Sequence, residues 1–489
     1  MADPLFIAVD LFCGAGGTTT GFVQATLHGV SIVLVIACVN HDPKAIKSHW
    51  RNHPGVKHFE EDIRTLDLTD LIKLVEYYRK KYPNAKLILW ASLECTNFSK
   101  AKGGKSRDAD SRTLADHLER YVTALIPDFI QIENVVEFMS WGPLDANGKP
   151  ISRKNGQDWI RWRQEICNIG YYDEWRELNS ANYGSYTSRN RLFGCFAKNG
   201  LSISWPEPTH AKSPPKFGIH GDLLKWRAVK DILNFADEGE SIFIRKKPLS
   251  DKTLERIYAG LIKYIAKGDT SFISKYYSGK PEGKVITTNG PAGTICTVDT
   301  LALVNVDFLL KYNSTNKNGK HTPPSIEEPC PVVSTQGRLG VIRPEFSPTI
   351  QASRRQHYIV NPSHGGHSTS TDAPCPVVIA RQDKAPLYLV QVENGPVAIA
   401  VFECDSEVMI RIKQFMAVYG LVDIKMRMLR VPELLRIQGF PADYILEGNQ
   451  SDQKKFIGNS VVPHVVKVWA EAMGMKLIDD IKKKVCFTE

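Results

Sequence analysis

Short apolar runs alternate with stretches of helical spacing along the first part of the chain. The runs lie at 5–11, 30–39, 86–91 and 128–133, and the helix-like stretches at 18–27, 42–50, 68–81 and 111–126. Strands of parallel sheets are apolar throughout because helices cover both faces of the sheet. The pattern therefore predicts an α/β fold with a Rossmann-like, doubly wound parallel sheet that binds ligands at the carboxyl ends of its strands. A helix at 157–169 and the strands "GYYDEWRELNSANYG" and "RLFGCFAK" extend it.

The pattern changes near residue 205, where Pro-rich "WPEPTHAKSPPKFG" marks a boundary. After a helical segment at 249–267, residues 271–404 are rich in Pro, Gly, Thr, Ser and Val. Within this region one plan recurs, in which a proline, a small or β-branched pair and a polar turn precede an apolar strand. The copies lie at 290–304, 328–342, 346–360 and 373–390. We interpret them as β-hairpin-like repeats of a second, β-rich domain.

Helical spacing returns after the repeats. Residues 405–440, which include "EVMIRIKQFMAVYGL", are predicted to be helical, and the C-terminal "VVPHVVKVWAEAMGMKLIDDIKKK" is predicted to form a helix that packs on the first domain. The expected domains are therefore 1–204, a second domain at 205–425, and a C-terminal part at 426–489 that returns to the first.

Composition narrows the functional classes only slightly. The chain has 489 residues and a net charge of +9, which favours polyanionic partners but is equally typical of a solvated surface. It has no run of about 18 apolar residues that would span a membrane and no basic region before its first apolar run, so we expect a cytoplasmic protein. The ten cysteines form no C-x-x-C pair. They are expected to be buried free thiols, with no metal bound.

The stretch "DLFCGAGGTTTGF" at 10–22 combines a strand, a glycine turn and a helix start. Gly14, Gly16 and Gly17, with Ala15 between them, allow the backbone to approach a ligand closely. Asp10 and the helix N-terminus can hold the polar part of a cofactor. The alternative is a tight turn between strand and helix with no ligand.

Polar side chains also follow the next strands. Asn40 and Asp42 in "VNHDP", and Asp62 in "EDIR", suit ribose hydroxyls and an adenine edge. Each of these residues, taken singly, is equally typical of a helix N-cap.

The stretch "WASLECTNFSKAKGG" at 90–104 places a thiol at the mouth of a strand. The Glu94 carboxylate disfavours ionisation of Cys95, whereas Lys100, Lys102 and Lys105 favour it. By itself the stretch also fits a buried core cysteine beside a solvated, glycine-rich basic loop. "QIENVV" at 131–136 favours chemistry instead, because Glu133 ends the neighbouring strand, and a thiol and a carboxyl facing one pocket supply a nucleophile and an acid.

These motifs, in this order, resemble the cytosine-C5 DNA methyltransferases that use S-adenosylmethionine. The resemblance includes "DLFCGAGG", "EDIR", "ECTNFS", "ENV", "SRNR" at 188–191, "RMLRVPELLRIQGFP" at 427–441 and "IGNSVVP" at 457–463. It covers both ends of the chain. It implies a class I methyltransferase fold, with 205–425 as the variable target-recognition region.

The resemblance also implies roles for individual residues. Cys95 would attack C6 of a flipped cytosine, and Glu133 would protonate the ring edge at N3. The expected cofactor contacts are Phe12 stacking on adenine, Asp62 and Ile63 at the adenine, and Asn459 in the closing motif. The remaining expected contacts are with the base and its surroundings: Arg189 and Arg191 as catalytic cations, and Glu94, Ser99, Lys102 and Asn134 as substrate-binding residues.

The chain departs from the family pattern at three places. Glu94 stands where the family has proline before the nucleophile, and Tyr186-Thr187 stands where it has Pro-Gln before the two arginines. Asn40 stands where it has an acid for the ribose hydroxyls. An amide can still bond a diol, but without the strength of a charged acceptor.

The predicted partner is double-stranded DNA, acted on by a monomeric enzyme. The resemblance alone implies a bacterial or phage-encoded enzyme of a restriction–modification system. Base reading is expected from turns such as "STQGRLG", "QASRRQH" and "ARQDK", unless these contact only phosphate. Two alternatives stay open. One is the same chemistry on tRNA, which the large β-repeat region disfavours; the other is a catalytically silent DNA-binding regulator, which Cys95, Glu133 and the glycine turn disfavour.

Overall fold

The structure is a computed structural model that describes most of the chain. The described residues are 3–93, 114–143, 145, 151–152, 155–214, 223–237, 239–267, 269, 271–276, 280–297, 301–311, 339–342, 356–361, 367–370, 388–392, 399–419 and 421–486. Its contacts divide the chain into two units. The first comprises Met1–Ile232, Asn289–Val298 and Arg430–Glu489, and the second comprises Leu233–Thr288 and Asp299–Leu429.

The helices and strands follow in chain order. The first unit begins with β1 Phe6–Leu11, α1 Gly17–Gln24, β2 Thr26–Leu27, β3 Val30–Ser31, β4 Val33–Asn40, α2 Pro43–Asn52, β5 Lys57–Glu60, α3 Thr69–Lys81, β6 Lys86–Ser92, α4 Leu118–Leu125, β7 Phe129–Asn134, α5 Gln157–Asn168, β8 Tyr171–Asn179, β9 Asn190–Lys198, β10 His210–Ala211 and β11 Leu224–Lys225. The second unit contains β12 Glu240–Ser241, α6 Asp251–Lys263, β13 Ser271–Lys275, β14 Val285–Thr287, β15 Leu301–Lys311, β16 Leu339–Ile342, β17 Gln356–Asn361, β18 His367–Ser370, β19 Tyr388–Val392, β20 Ile399–Ala400, α7 Glu407–Tyr419 and β21 Leu421–Met428. The first unit ends with α8 Val431–Gln438, α9 Gln450–Asn459 and α10 Pro463–Cys486.

A seven-stranded sheet in the order β5-β4-β1-β6-β7-β9-β8 forms the centre of the first unit. The chain runs outward from β1 through β4 to β5, then returns to β6 on the other side of β1. This reversal creates a topological switch point, and ligands of doubly wound sheets bind in the crevice there. The prediction of a Rossmann-like parallel sheet is therefore confirmed for β4, β1, β6 and β7. Strand β5, which was not predicted, joins the sheet parallel to β4. The two predicted extra strands, β8 and β9, join the sheet antiparallel.

Apolar packing covers both faces of this sheet. Strands β1, β6 and β7 are buried almost end to end, as their continuous apolar runs predict. On one face, helix α10 inserts Trp469, which stacks on Trp205 at 4.8 Å and meets Trp90 edge-on at 5.8 Å. The C-terminal segment is thus a helix on the core of the first unit.

The second unit has its own β-rich core. Strands β12, β21, β15, β13 and β14 form one antiparallel sheet, to which β16 adds beside β15, while β18, β17, β19 and β20 form another. Helices α6 and α7 pack their apolar residues with those of the first sheet, as in the cluster of Leu254, Ile257, Phe272, Ile412 and Ile424. The apolar ends of the four sequence repeats are strands β15, β16, β17 and β19.

Two elements differ from their predictions. The helical prediction for 405–440 is wrong over Leu421–Met428, which form strand β21. In "LVDIKMRM" the apolar residues alternate with polar ones, and this period of two outweighs the helical spacing on both sides. Strand β5 escapes prediction because "KHFE" is short and mostly polar. No described helix is long and apolar enough to cross a bilayer.

Candidate active site

A left-handed turn follows β1 and opens the site. Phe12, Gly14 and Gly16 have φ values of 57°, 54° and 104°. The backbone is held by Cys13 N–H, which donates to Val39 O at 3.2 Å, and by Gly16 N–H, which donates to Cys13 O at 3.0 Å. A positive φ is costly for phenylalanine, so the turn keeps Phe12 in a strained conformation. Such strain is typical of functional turns.

The three glycines of the turn have different surroundings. A Cβ at Gly14 would have no neighbour within 4 Å, so this glycine faces open space. A Cβ at Gly16 would collide with the Tyr444 hydroxyl, and one at Gly17 with the Ser460 side chain. Gly14 therefore leaves room for a ligand, whereas Gly16 and Gly17 allow C-terminal residues to approach the turn.

Tyr444 and Ser460 were missed by the sequence reasoning. The Tyr444 hydroxyl donates to Ala15 O inside the turn, and Ser460 follows Asn459 at the end of α9. Asn459 itself is exposed at the surface next to the turn. The only sequence signal for these contacts is that the glycine-turn motif and the C-terminal motifs occur in the same chain. That signal does not identify which residues are in contact.

Asn40 and Asp42 follow β4 and have their side-chain oxygens engaged. Asn40 Oδ1 accepts from Asp42 N–H at 2.9 Å, so only its amide nitrogen can donate to a diol. Asp42 caps α2 by accepting from Lys44 N–H at 3.0 Å and Ala45 N–H at 3.3 Å. The N-cap alternative for Asp42 is thus what the structure shows.

Asp62 and Ile63 follow β5. Arg64 holds Asp62 in a two-pronged ion pair, with Nη2–Oδ2 at 2.7 Å and Nε–Oδ1 at 3.0 Å, and this lowers the pKa of Asp62 to about 2. Ile63 is buried, and its carbonyl accepts from the Tyr121 hydroxyl at 2.8 Å. The segment is therefore fixed in place, with the Asp62 side chain still partly exposed.

Glu133 is the penultimate residue of β7 and has two arginines beside one of its oxygens. Arg191 Nε lies 3.4 Å and Arg189 Nη2 3.9 Å from Glu133 Oε1, and all three side chains are largely buried. Arg189 Nη1 also donates to Gly458 O at 3.0 Å, which joins the cluster to α9. Glu133 Oε1 makes no hydrogen bond to any described residue. The two guanidinium groups therefore hold this oxygen by charge, at distances longer than those of most hydrogen bonds.

Asn134 follows Glu133 and is buried as well. Its Oδ1 accepts from Val135 N–H at 2.8 Å, while its Nδ2 has no hydrogen-bond partner among the described residues. In the sheet, Glu133 is paired with Ser92, the last residue of β6. Glu94, Cys95, Ser99 and Lys102, on which the nucleophile and substrate predictions fall, lie outside the described residues, so the structure brings only Glu133, Asn134, Arg189 and Arg191 to this edge.

Tyr186 and Thr187, where the chain departs from the family pattern, pair with a distant segment of the first unit. Ala292 N–H donates to Tyr186 O at 2.7 Å, and Ser188 N–H donates to Ala292 O at 2.8 Å. Thr187 Oγ1 adds a bond to Gly293 O at 3.1 Å. Residues 289–298 thus brace the strand entry that carries Arg189 and Arg191, which the sequence did not indicate.

The chemistry of these groups fits a nucleoside-type cofactor in the switch-point crevice. An open glycine, a helix start, an amide and a fixed carboxylate lie at the ends of β1, β4 and β5, where such cofactors bind. The Glu133 cluster lies at the end of β7 in the same sheet. The arrangement can hold a cofactor on one side and a polar heteroaromatic ring on the other.

The comparisons with known proteins agree with this arrangement. The model of the C-5 cytosine-specific DNA methylases matches residues 6–475. Type II methylase M.HgiDII of Herpetosiphon aurantiacus is 27% identical over 51% of this chain and 62% of its own length. Type II methyltransferases M1.HphI of Haemophilus parahaemolyticus and M.DdeI of Desulfomicrobium norvegicum are 25% and 27% identical over 42% and 50% of this chain. The chain spans from 49% to 62% of the length of these relatives.

Proposed function

The chain belongs to the C-5 cytosine-specific DNA methylase family, and we propose that it transfers a methyl group from S-adenosylmethionine to C5 of a cytosine in double-stranded DNA. The relatives are Type II enzymes by name. We extend the proposal to a modification role of that kind, at a specific sequence.

The cluster of Glu133, Arg189 and Arg191 is the observation that carries this function. Cytosine presents a ring nitrogen, N3, beside its exocyclic amine, and a carboxyl group can bond both. Glu133 Oε1 is buried and makes no hydrogen bond to a described residue, and the two guanidinium groups keep the carboxyl oriented. The base would reach this depth only if it left the stack, which is why we propose flipping.

We propose Cys95 as the nucleophile. It follows Ser92, the strand partner of Glu133, by three residues. A chain of that length spans at most roughly 11 Å, so the thiol is tethered near the carboxyl. Its sulfur would bond to C6 while Glu133 donates a proton toward N3, and the electrons of the C5–C6 double bond would then be directed to C5. C5 would then bond to the methyl group carried by the sulfonium, and the methyl donor would leave as a neutral thioether. A base would remove the C5 proton, the Cys95–C6 bond would break to return the thiolate, the double bond would re-form, and N3 would give its proton back.

The residues of the first unit suit S-adenosylmethionine, which supplies an electrophilic methyl group on a sulfonium. Phe12 would stack on the adenine, with Asp62 and Ile63 at its edge. The Asn40 amide would donate to the ribose hydroxyls. The turn at Gly14, Ala15, Gly16 and Gly17 would receive the amino-acid part of the cofactor, and Asn459 would close over it.

Target reading is assigned to the second unit in this proposal. Its two antiparallel sheets can carry loops toward a duplex, and the repeats place Arg, Gln and His in those loops. The loops "STQGRLG", "QASRRQH" and "ARQDK" fall outside the described residues, apart from the ends of the first two. Their role in base recognition therefore rests on their composition.

Methyl transfer tests the proposal directly. The full chain, incubated with tritium-labelled S-adenosylmethionine and duplex DNA of mixed sequence, is expected to label the DNA, and bisulfite sequencing should place every methyl group in one short motif. Cys95→Ala is expected to abolish labelling, while Cys404→Ala, which alters an exposed cysteine, is expected to retain it. DNA that binds but is never labelled would contradict the enzyme assignment. Labelling by Cys95→Ala would contradict the covalent mechanism.

A parallel reaction with tRNA separates the nearest alternative. Labelling of tRNA but not of duplex DNA would replace the proposed substrate while leaving the chemistry in place. Duplex DNA is the expected substrate because the β-rich second unit offers a large recognition surface.

A further inference from the structure

Beneath the glycine turn lies a buried cluster of thiols and imidazoles that the proposed methyl transfer does not use. Cys13 follows β1, Cys38 lies in β4 and His49 lies in α2, and all three are buried. One donor atom from each lies within 4.8 Å of the other two, and the Cys38 Sγ–His49 Nδ1 distance is 3.7 Å. Two thiols and an imidazole form a donor set that zinc prefers.

Hydrogen bonds determine which nitrogen of His49 carries the proton. Thr19 Oγ1 donates its single hydrogen to Asp10 Oδ2 at 2.9 Å, so it can only accept from His49 Nε2, which lies 2.9 Å away. His49 Nε2 is therefore protonated, and Nδ1 carries a lone pair that accepts from His58 Nε2 at 2.8 Å and lies 3.7 Å from Cys38 Sγ.

The chain from His49 through Thr19 to Asp10 has the form of an outer shell around a metal. Metal-binding histidines donate their second N–H to an acceptor that is itself oriented by a carboxylate or carbonyl. Here the Asp10 carboxyl ends the chain, fully buried, and its Oδ1 makes no hydrogen bond to a described residue.

A fourth donor lies next to the three. His58 Nε2, in β5, is 2.8 Å from His49 Nδ1. With zinc–sulfur and zinc–nitrogen bonds of about 2.3 and 2.0 Å, tetrahedral ligand atoms are separated by about 3.3–3.8 Å. The Cys38–His49 distance already falls within this range. The two imidazole nitrogens share a hydrogen bond here. To bind the ion together they would have to separate by about half an ångström, and the hydrogen on His58 Nε2 would have to move to Nδ1 of the same ring.

We propose that Cys13, Cys38, His49 and His58 bind one zinc ion. Binding would release the two thiol protons to solvent, and the two resulting thiolates would neutralise the charge of Zn²⁺, so the buried site carries no net charge. The ligands come from the glycine turn, β4, α2 and β5. The ion therefore ties the turn to three neighbouring elements. This proposal departs from the expectation that the chain holds no metal. The sequence did not indicate the site because its ligands are widely spaced along the chain.

A disulfide between Cys13 and Cys38 accounts less well for the cluster. A disulfide would use both sulfurs and provide no partner for the buried imidazole beside Cys38. Oxidation would also leave His49, Thr19 and Asp10 without a function. Zinc uses all of them.

The test uses the full chain, stripped of metal with a chelator and titrated with Co²⁺ in place of Zn²⁺. We expect one Co²⁺ per chain, a thiolate-to-cobalt charge-transfer absorption in the near ultraviolet, and visible bands of tetrahedral cobalt. Addition of Zn²⁺ is expected to remove the spectrum, and one zinc per chain is expected by elemental analysis. A spectrum without charge transfer, or no retained metal, would overturn the proposal.

Variants locate the site independently of methyl transfer. Cys38→Ala is expected to weaken cobalt binding at least tenfold and to reduce the charge-transfer intensity by about half, since one of two thiolates is lost. Cys195→Ala removes an equally buried thiol of β9 and is expected to bind cobalt as the parent does. His58→Ala, at the half-buried edge of the cluster, provides a ligand variant that folds if Cys38→Ala does not. Unchanged cobalt affinity in His58→Ala and Cys38→Ala would place the metal elsewhere and refute the assignment.

Discussion

Replacing Gly16 with alanine is expected to destabilise the first unit through two separable effects. The first is backbone strain, because Gly16 has a φ of 104°. An L-residue in the left-handed region costs about 1–2 kcal/mol. The second is a collision of the new Cβ with the buried Tyr444 hydroxyl. Overpacking of this kind costs about 1–3 kcal/mol. The expected total loss of unfolding free energy is about 2–5 kcal/mol.

A double-mutant cycle with Tyr444→Phe separates the two effects. Tyr444→Phe alone removes the hydrogen bond to Ala15 O and leaves a buried carbonyl unsatisfied, at about 1–3 kcal/mol. In the double variant the hydroxyl is gone, so the collision disappears while the backbone strain persists. We therefore expect the double variant to be about 1–3 kcal/mol more stable than the sum of the single effects implies.

Urea unfolding followed by tryptophan fluorescence measures all four proteins of the cycle. Gly14→Ala is the matched control, because its φ is 54° and its Cβ would face open space. It is expected to cost about 1 kcal/mol and to weaken S-adenosylmethionine binding more than it weakens the fold. Strictly additive effects of Gly16→Ala and Tyr444→Phe, within about 0.5 kcal/mol, would refute the contact between the turn and Tyr444.

Three further predictions follow from the site and its surroundings. Glu133→Gln is expected to lower kcat about 10²–10⁴-fold with DNA binding retained, because an amide cannot donate the required proton toward N3. Single-turnover kinetics measures the rate, and a gel-shift assay measures DNA binding. A kcat near that of the parent would contradict the acid role of Glu133. Glu94→Pro restores the residue typical of the family and is expected to change either the methylation rate or the choice of base; kinetics identical to the parent on every base would show that Glu94 is incidental. Burial lowers the pKa of His464 to about 4. Between pH 6.5 and 4 the unfolded chain therefore binds a proton that the folded chain does not, and the free energy of unfolding decreases as the pH is lowered. In urea unfolding at pH 7 and pH 4, the decrease in the free energy of unfolding is expected to be smaller by up to about 3 kcal/mol in His464→Gln than in the parent. An unchanged pH dependence would contradict the lowered pKa of His464.

The parts of the fold that follow from sequence are those encoded locally. Continuous apolar runs predicted β1, β6 and β7 because both faces of these strands are buried, so that nearly all of their residues are apolar. Strand β21 was missed because its alternating pattern is short and lies between two helices. The antiparallel entry of β8 and β9 depends on the path of the connecting segments, which side-chain periodicity does not report.

The candidate site likewise combines features that the local sequence encodes with contacts between distant elements. The sequence predicted that Glu133 ends a strand next to the strand that precedes Cys95, and the pairing of Ser92 with Glu133 agrees with this. It did not predict that Ala292 binds Tyr186, or that Cys13, Cys38 and His58 converge on His49. These contacts join residues from separate elements, and only the three-dimensional order of the strands brings them together.

The glycine turn shows why a cofactor motif and a C-terminal motif belong in the same chain. Of its three glycines, only Gly14 faces open space where a ligand can lie. Gly16 and Gly17 lack side chains because Tyr444 and Ser460, from the other end of the sequence, occupy the positions that a Cβ would need. Since Arg189 also bonds the backbone of Gly458, the same C-terminal segment contacts the cofactor turn and the Glu133 cluster. If the function is as proposed, these contacts would couple cofactor binding to base binding through α9 and the residue that follows it. We therefore expect a substitution at Ser460 to alter the affinity for both ligands, which equilibrium binding measurements with each ligand would check.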